Sequence, residues 1–123
     1  MYDHVGLKVK NLEASVRFYR AALEALGYRL GSSDASGASF VSESGSALYL
    51  SPANGKASTG VHVALSASGR ASVARFYRNG LEAGGRDNGA PGLRLDYSPN
   101  YFAAFLLDPD GNNIEAVCMT SEQ

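Results

Sequence analysis

The sequence predicts an α+β fold of two paired βαβββ modules that form a cupped mixed sheet. Three observations carry the prediction: an internal repeat at one fixed offset, a period-two apolar alternation that opens each copy, and a helical apolar stripe that follows it. Setting residues 4–27 above residues 62–85 without a gap gives eleven identities in twenty-four positions, where ordinary composition would give about one or two. His4 falls on His62, and the run Arg17-Phe18-Tyr19-Arg20 falls on Arg75-Phe76-Tyr77-Arg78. Self-similarity of this kind marks a duplicated supersecondary unit.

In the first copy Asp3, Val5, Leu7 and Val9 alternate with His4, Gly6, Lys8 and Lys10, which is the period of a half-buried strand. Asn11 is placed as an N-cap. Leu12, Val16, Tyr19, Leu23 and Leu26 then recur at steps of four and three, a stripe along one helix that Gly27 is placed to stop. The second copy repeats this grammar with a strand near 60–67 and a helix near 70–83 closed by Gly84-Gly85. After the first helix, strands are expected near 28–31, 38–43 and 46–51, with turns at Gly37 and Ser44-Gly45. After the second, residues 86–100 are rich in Gly, Pro and Asn and read as a weak strand followed by a loop. Strands near 101–107 and 112–119 come next, joined by the turn Asp108-Pro109-Asp110-Gly111. Ser51 to Thr59 is the linker, so one domain comprises module 1 (1–53) and module 2 (58–119). A half of about 60 residues buries little core alone. The modules should therefore pair, within one chain or exchanged between two, and exposed sheet edges favour a homodimer.

The bulk properties exclude several classes. The chain has 123 residues and a formal net charge of −1, which makes no electrostatic case for nucleic acid or an anionic membrane surface. No apolar run approaches the roughly 20 residues that span a bilayer. The N-terminal residues show neither a basic n-region nor an apolar h-region, so a cytoplasmic protein without a signal peptide is expected. Cys118 is the single cysteine; it cannot form an intrachain disulfide, and its alternation places it on a helix-packing face.

Alternation also makes a statement about chemistry. His4 faces away from Val5, Leu7 and Val9, and His62 faces away from Val61, Val63 and Leu65. In the last strand Glu115 lies opposite Ile114, Ala116 and Cys118. Two imidazoles and one carboxylate therefore point to the sheet faces that helices leave open. If those faces curve together, His4, His62 and Glu115 form the 2-His-1-carboxylate set that suits one divalent metal with open positions: Fe, Mn, Ni, Co or Zn. The alternative is that both histidines, the only two in the chain, are relics of the duplication with structural hydrogen bonds.

The segments Asp3-His-Val-Gly-Leu-Lys-Val9, Ser15-Val-Arg-Phe-Tyr19, Gly60-Val-His-Val-Ala-Leu65 and Leu107-Asp-Pro-Asp-Gly-Asn-Asn-Ile-Glu-Ala-Val117 closely resemble the vicinal oxygen chelate superfamily of glyoxalases, bleomycin-resistance proteins and extradiol dioxygenases. The resemblance spans essentially the whole chain. Asp87-Asn-Gly-Ala-Pro-Gly-Leu-Arg94 and Tyr101-Phe-Ala-Ala-Phe105 narrow it to a glyoxalase-like subgroup. It implies a metal held by His4, His62 and Glu115, acting as a Lewis acid on a small substrate bound through vicinal oxygens.

Departures from the family pattern shape the expected chemistry. Matching Gly45–Leu50 to Gly111–Ala116 puts Tyr49 where glyoxalases carry a fourth carboxylate or amide ligand, which removes the usual proton-abstracting base. Phe105 stands where extradiol dioxygenases carry a tyrosine, and the stretch before it has Asp96 but no histidine. Gly6 replaces the threonine of fosfomycin-resistance transferases. A general base from the 94–98 loop would have to be Asp96 or Tyr97. Arg94 could pair with an anionic substrate or anchor its loop. The expected catalytic groups are Glu115, Tyr49 and Asp96, and the expected substrate contacts are Tyr49, Arg94, Tyr97, Tyr101 and Phe105. The expectation is a metal-dependent enzyme, lyase- or isomerase-like more than ring-cleaving. Its alternative is a non-catalytic drug-sequestering protein of the bleomycin-resistance type. The Asp108 turn is no calcium loop, because Glu115 comes too early for the twelfth position.

Overall fold

In the computed structural model, residues 2–120 are described. They form two like halves. The first runs β1 (His4–Val9), α1 (Leu12–Glu24), β2 (Arg29–Asp34), β3 (Gly37–Val41) and β4 (Ala47–Pro52). The second runs β5 (His62–Ser66), α2 (Arg70–Glu82), β6 (Arg86–Leu93), β7 (Phe102–Leu107) and β8 (Asn113–Cys118). Each half is a four-stranded mixed sheet, ordered β1-β4-β3-β2 and β5-β8-β7-β6. In each the first strand runs parallel to the last, and the remaining pairs are antiparallel. Among the described residues, no helix is long and apolar enough to cross a membrane.

Local chemistry explains the element ends. The Asn11 side chain accepts a hydrogen bond from the Ala14 amide at 3.0 Å, capping α1 as its position predicts. Gly27 continues past that helix with φ of 88°, a conformation that a Cβ disfavours. At the equivalent position before α2 stands Gly69, which offers no side-chain cap.

The stretch rich in Gly, Pro and Asn is, as expected, a strand followed by a loop: β6 has eight residues and ends at Leu93. It lies at the edge of its sheet and shifts register twice against β7, between Asp87 and Gly89 and between Gly89 and Gly92. An edge position with bulges tolerates Pro91, which has no amide to donate. The helix α1 buries more than the single stripe read from its sequence. Phe18 and Ala22 are fully buried beside Tyr19 and Leu23, because α1 packs on its own sheet and also along α2.

That helix–helix seam joins the halves. Gly80 and Gly85 let the second half approach Phe18: a Cβ on Gly80 would collide with Leu106 and lie 3.2 Å from Phe18, and one on Gly85 would collide with Phe18. Phe18, Tyr19, Phe76, Leu106 and Ile114 lie in one continuous core, so the two halves fold around shared apolar contacts. Cys118 is buried in that core as a free thiol.

A buried polar knot ties the halves at a second place. Asp108, 1% exposed, accepts from the Tyr19 hydroxyl at 2.5 Å, the Asn112 amide at 2.8 Å, the Asp110 amide at 2.9 Å and the Asn112 side chain at 3.0 Å. The Asn112 side chain also donates to the Ser58 carbonyl and accepts from the Val61 amide. The Asp108 turn thus holds both α1 and the linker into β5, satisfying groups that would be costly to bury alone. Burial and the Asp108 carboxylate together push the Tyr19 hydroxyl well above its ordinary range of ionisation.

Candidate metal centre

The face of each sheet that α1 or α2 does not cover carries the polar residues of the alternation. On the first, Leu7 and Val9 are buried while His4, Gly6 and Lys8 are exposed; on the second, Val63 and Leu65 are buried while His62, Ala64 and Ser66 are exposed. Register makes the two faces comparable. Gly6 stands opposite Tyr49 in the β1–β4 ladder, and Ala64 stands opposite Glu115 in the β5–β8 ladder. Tyr49 therefore occupies the position that Glu115 holds in the other half.

The second face carries the denser site. His62 Nε2 donates to Glu115 Oε1 at 2.8 Å, and the Tyr101 hydroxyl donates to Glu115 Oε2 at 2.5 Å. Glu115 is 1% exposed although it lies on the open side of its sheet, while the His62 side chain is half exposed. Phe105, opposite Glu115 in the β7–β8 ladder, packs against the His62 ring at 6.3 Å between centroids. Tyr97 meets Tyr101 edge-on at 4.9 Å. Loss of water contact, then the hydrogen bond to Glu115, pushes the Tyr101 hydroxyl up to about 12. Tyr101 is thus a neutral donor across the physiological range.

The first face is simpler. His4 Nδ1 donates to Asp3 at 2.9 Å, and the His4 ring stacks on Tyr49 at 4.8 Å with planes 24° apart. Both rings are exposed to solvent. Of the three residues expected to share a metal, one chain brings together His62 and Glu115 and leaves His4 on the other sheet. Among the described residues, no three His, Cys, Asp or Glu side chains stand close enough together to hold one ion.

The remaining candidates divide. The Arg94 guanidinium donates to the Ala90 carbonyl at 2.8 Å and lies over the Phe105 ring at 5.3 Å. Asp96 is exposed in the loop between β6 and β7, whereas the side chains hydrogen-bonded to Glu115 are His62 and Tyr101. The contact that sequence reasoning missed is Tyr101 on Glu115. The sequence places Tyr101 toward a substrate, and no spacing rule links a residue just before β7 to a carboxylate on the neighbouring strand β8.

Comparison with known proteins gives this arrangement a family. The family model described as glyoxalase/bleomycin resistance protein/dioxygenase superfamily matches residues 2–116. The chain belongs to that superfamily. Among solved structures, a glyoxalase/bleomycin resistance protein from Albidiferax ferrireducens T118 is 30% identical, covers 95% of this chain and 97% of its own, and superposes with a TM-score of 0.83. A glyoxalase-related enzyme from Fulvimarina pelagi is 20% identical, with coverage of 95% and 86% and a TM-score of 0.74. A family enzyme from Burkholderia phytofirmans PsJN is 12% identical, with coverage of 96% and 98% and a TM-score of 0.75; the last two likenesses concern the fold alone. No curated protein matches the chain.

Members of the glyoxalase/bleomycin resistance/dioxygenase superfamily commonly bind a divalent metal, and the donor chemistry here can be tested against one. Two donors each about 2.0–2.2 Å from a common ion and at right angles stand about 3 Å apart. The 2.8 Å between His62 Nε2 and Glu115 Oε1 suits such a pair, with an ion in place of the bridging proton. Imidazole and carboxylate are also the donor types that first-row divalent metals accept. Of the three donors expected from the sequence, one chain brings two together.

Proposed function

We propose that this protein is a metal-dependent enzyme of the superfamily, lyase- or isomerase-like, acting on a small substrate through vicinal oxygens. Its centre forms where two copies pair, His4 of one chain meeting His62 and Glu115 of the other. The observation that carries this reading is the His62–Glu115 pair, buried on one side, half open on the other, and held by Tyr101. The pairing is supported by the placement of His4 on the open face of the other sheet, with the halves of one chain joined along their helices. A two-fold arrangement of this kind gives each dimer two equivalent sites.

A bound divalent ion would supply Lewis-acid polarisation of substrate oxygens. The chain's own groups do the rest. Tyr101 holds its proton on Glu115 Oε2, which leaves Oε1 directed at His62. Phe105, beside Glu115 on the open face, walls the site against the His62 ring and excludes water there. Tyr49, stacked on His4, orients that imidazole and presents a hydroxyl at the position equivalent to Glu115. Asp96, in the exposed loop, is the carboxylate available for proton transfer in that segment. Tyr97, edge-on to Tyr101, extends the aromatic wall.

The test is metal binding with complementation between chains. The wild-type protein, stripped and titrated with Co(II) by calorimetry, is expected to take up one ion per chain. His4→Ala and His62→Ala are each expected to abolish that uptake. Mixing and re-equilibrating the two variants should restore about a quarter of it, since half the dimers become mixed and one of their two sites is intact. A wild-type protein that binds no divalent metal sinks the enzyme reading and favours sequestration of a small molecule. Uptake that never recovers on mixing sinks the shared site.

A further inference from the structure

We propose that Arg94 determines substrate specificity at this site, and that the substrate carries a carboxylate or like oxyanion beside its chelating oxygens. The inference rests on the metal-centre reading above and names the substrate class for it.

Arg94 is seated against the site by three separate contacts. Its main-chain amide donates to the Tyr101 carbonyl at 2.7 Å, so it adjoins the residue that holds Glu115. Its guanidinium lies over Phe105, the ring that also packs on His62. Phe105 is the ladder partner of Glu115, so the ring lies on the same open face of the sheet. The bulged strand β6 is shaped around this side chain: a Cβ on Gly89 would come within 3.2 Å of the guanidinium, and one on Gly92 within 3.1 Å.

Charge is the unexplained part of this arrangement. A guanidinium carries five N–H donors and stays protonated at every pH a protein survives. Here the guanidinium makes one hydrogen bond, to the Ala90 carbonyl, and a neutral amide could make it equally well. Among the described residues the carboxylates paired with basic side chains are Asp3 with His4 and Glu115 with His62, and Arg94 takes part in neither contact. The side chain is partly buried and its charge has no carboxylate partner among the described residues. A planar fork with free donors next to a chelating pair is complementary to a planar oxyanion, which it can hold in two parallel bonds. The ligand that completes both features has vicinal oxygens for the metal pair and an anionic group for Arg94.

The probes are catechol, 2,3-dihydroxybenzoate and 3,4-dihydroxybenzoate, which share vicinal oxygens and differ in the carboxylate. Binding to the Co(II)-loaded protein is followed by the visible spectrum of the ion. At least one carboxylated diol is expected to bind about 10- to 100-fold more tightly than catechol. Arg94→Gln should erase that preference while leaving Co(II) affinity unchanged, and Arg94→Lys should restore part of it. Equal affinities in the wild type, a preference that survives Arg94→Gln, or failure of all three diols to bind the loaded protein would each overturn the proposal. A wild-type protein that takes up no Co(II) would refute the metal reading itself, and this inference with it.

Discussion

Replacing Asp108 by alanine is expected to cost about 3–5 kcal/mol of folding stability. The figure follows from the donors the change would strand. Tyr19 is fully buried, and its hydroxyl has Asp108 as its acceptor. The Asn112 amide is buried as well and also points at Asp108. Each group left dry without a partner costs about 1–3 kcal/mol. The Asn112 side chain keeps the Ser58 carbonyl, and the Asp110 amide, on a partly exposed residue, can turn to water, so neither adds much. Tyr19→Phe removes a donor and leaves Asp108 with three others, a loss of about 1–2 kcal/mol. In the double variant the loss should fall short of the sum, with a coupling of about 1–2 kcal/mol. Urea unfolding read by far-ultraviolet dichroism and tyrosine fluorescence measures all four proteins; the chain has no tryptophan to complicate the signal. A loss below about 1 kcal/mol for Asp108→Ala, at an unchanged denaturant slope, would show that the knot does not bind the halves together.

Further predictions concern the site and the seam. Tyr101→Phe keeps the ring and removes the hydroxyl on Glu115; it should weaken Co(II) affinity by about 10- to 100-fold in a calorimetric titration, and unchanged affinity would refute the holding role. The raised ionisation of Tyr19 and Tyr101 has a definite sign. The unfolded tyrosines lose protons near their ordinary value of about 10, so these two groups stabilise the fold fully below that pH. For Tyr101 the contribution disappears between about 10 and 12, and for Tyr19 it is lost as pH rises above the ordinary tyrosine range. Urea midpoints taken from neutral pH to about 11 should therefore fall at the alkaline end, and less steeply in Tyr101→Phe. Gly80→Ala should destabilise by up to about 2 kcal/mol, because crowding against Leu106 and Phe18 costs about 1–3 kcal/mol against a gain of about 0.8–1.0 kcal/mol in helix propensity; a thermal melt with a higher midpoint would refute the tight seam.

The halves were legible because duplication writes the same periodicity twice. Asn11 and Gly27 announce the ends of α1, and the alternation around His4 and His62 assigns their faces correctly, since a strand has only two. The strand β6 reads only as a weak strand because its glycines and Pro91 suit a bulged edge, and edge position is a property of the sheet. Phe18 and Ala22 fall outside the stripe read for α1 because their burial comes from α2, contributed by distant sequence through Gly80 and Gly85. The candidate site shows the same division. Pairing of His62 with Glu115 is strand-local and follows from register. The place of His4 relative to them depends on how the halves meet, which alternation does not encode. The hold of Tyr101 on Glu115 depends on where a loop returns to the sheet.

The seam at Gly80 has a consequence for assembly. It fixes the angle between two unlike open faces on one molecule, and if the first face recognises the second, that angle decides whether successive copies close or propagate. At the angle that closes, two molecules satisfy each other and growth stops; a few degrees away, each addition exposes a fresh face and the product is a filament. A bulkier residue at Gly80 would then be felt far from any ligand, as polymer in the sedimentation profile.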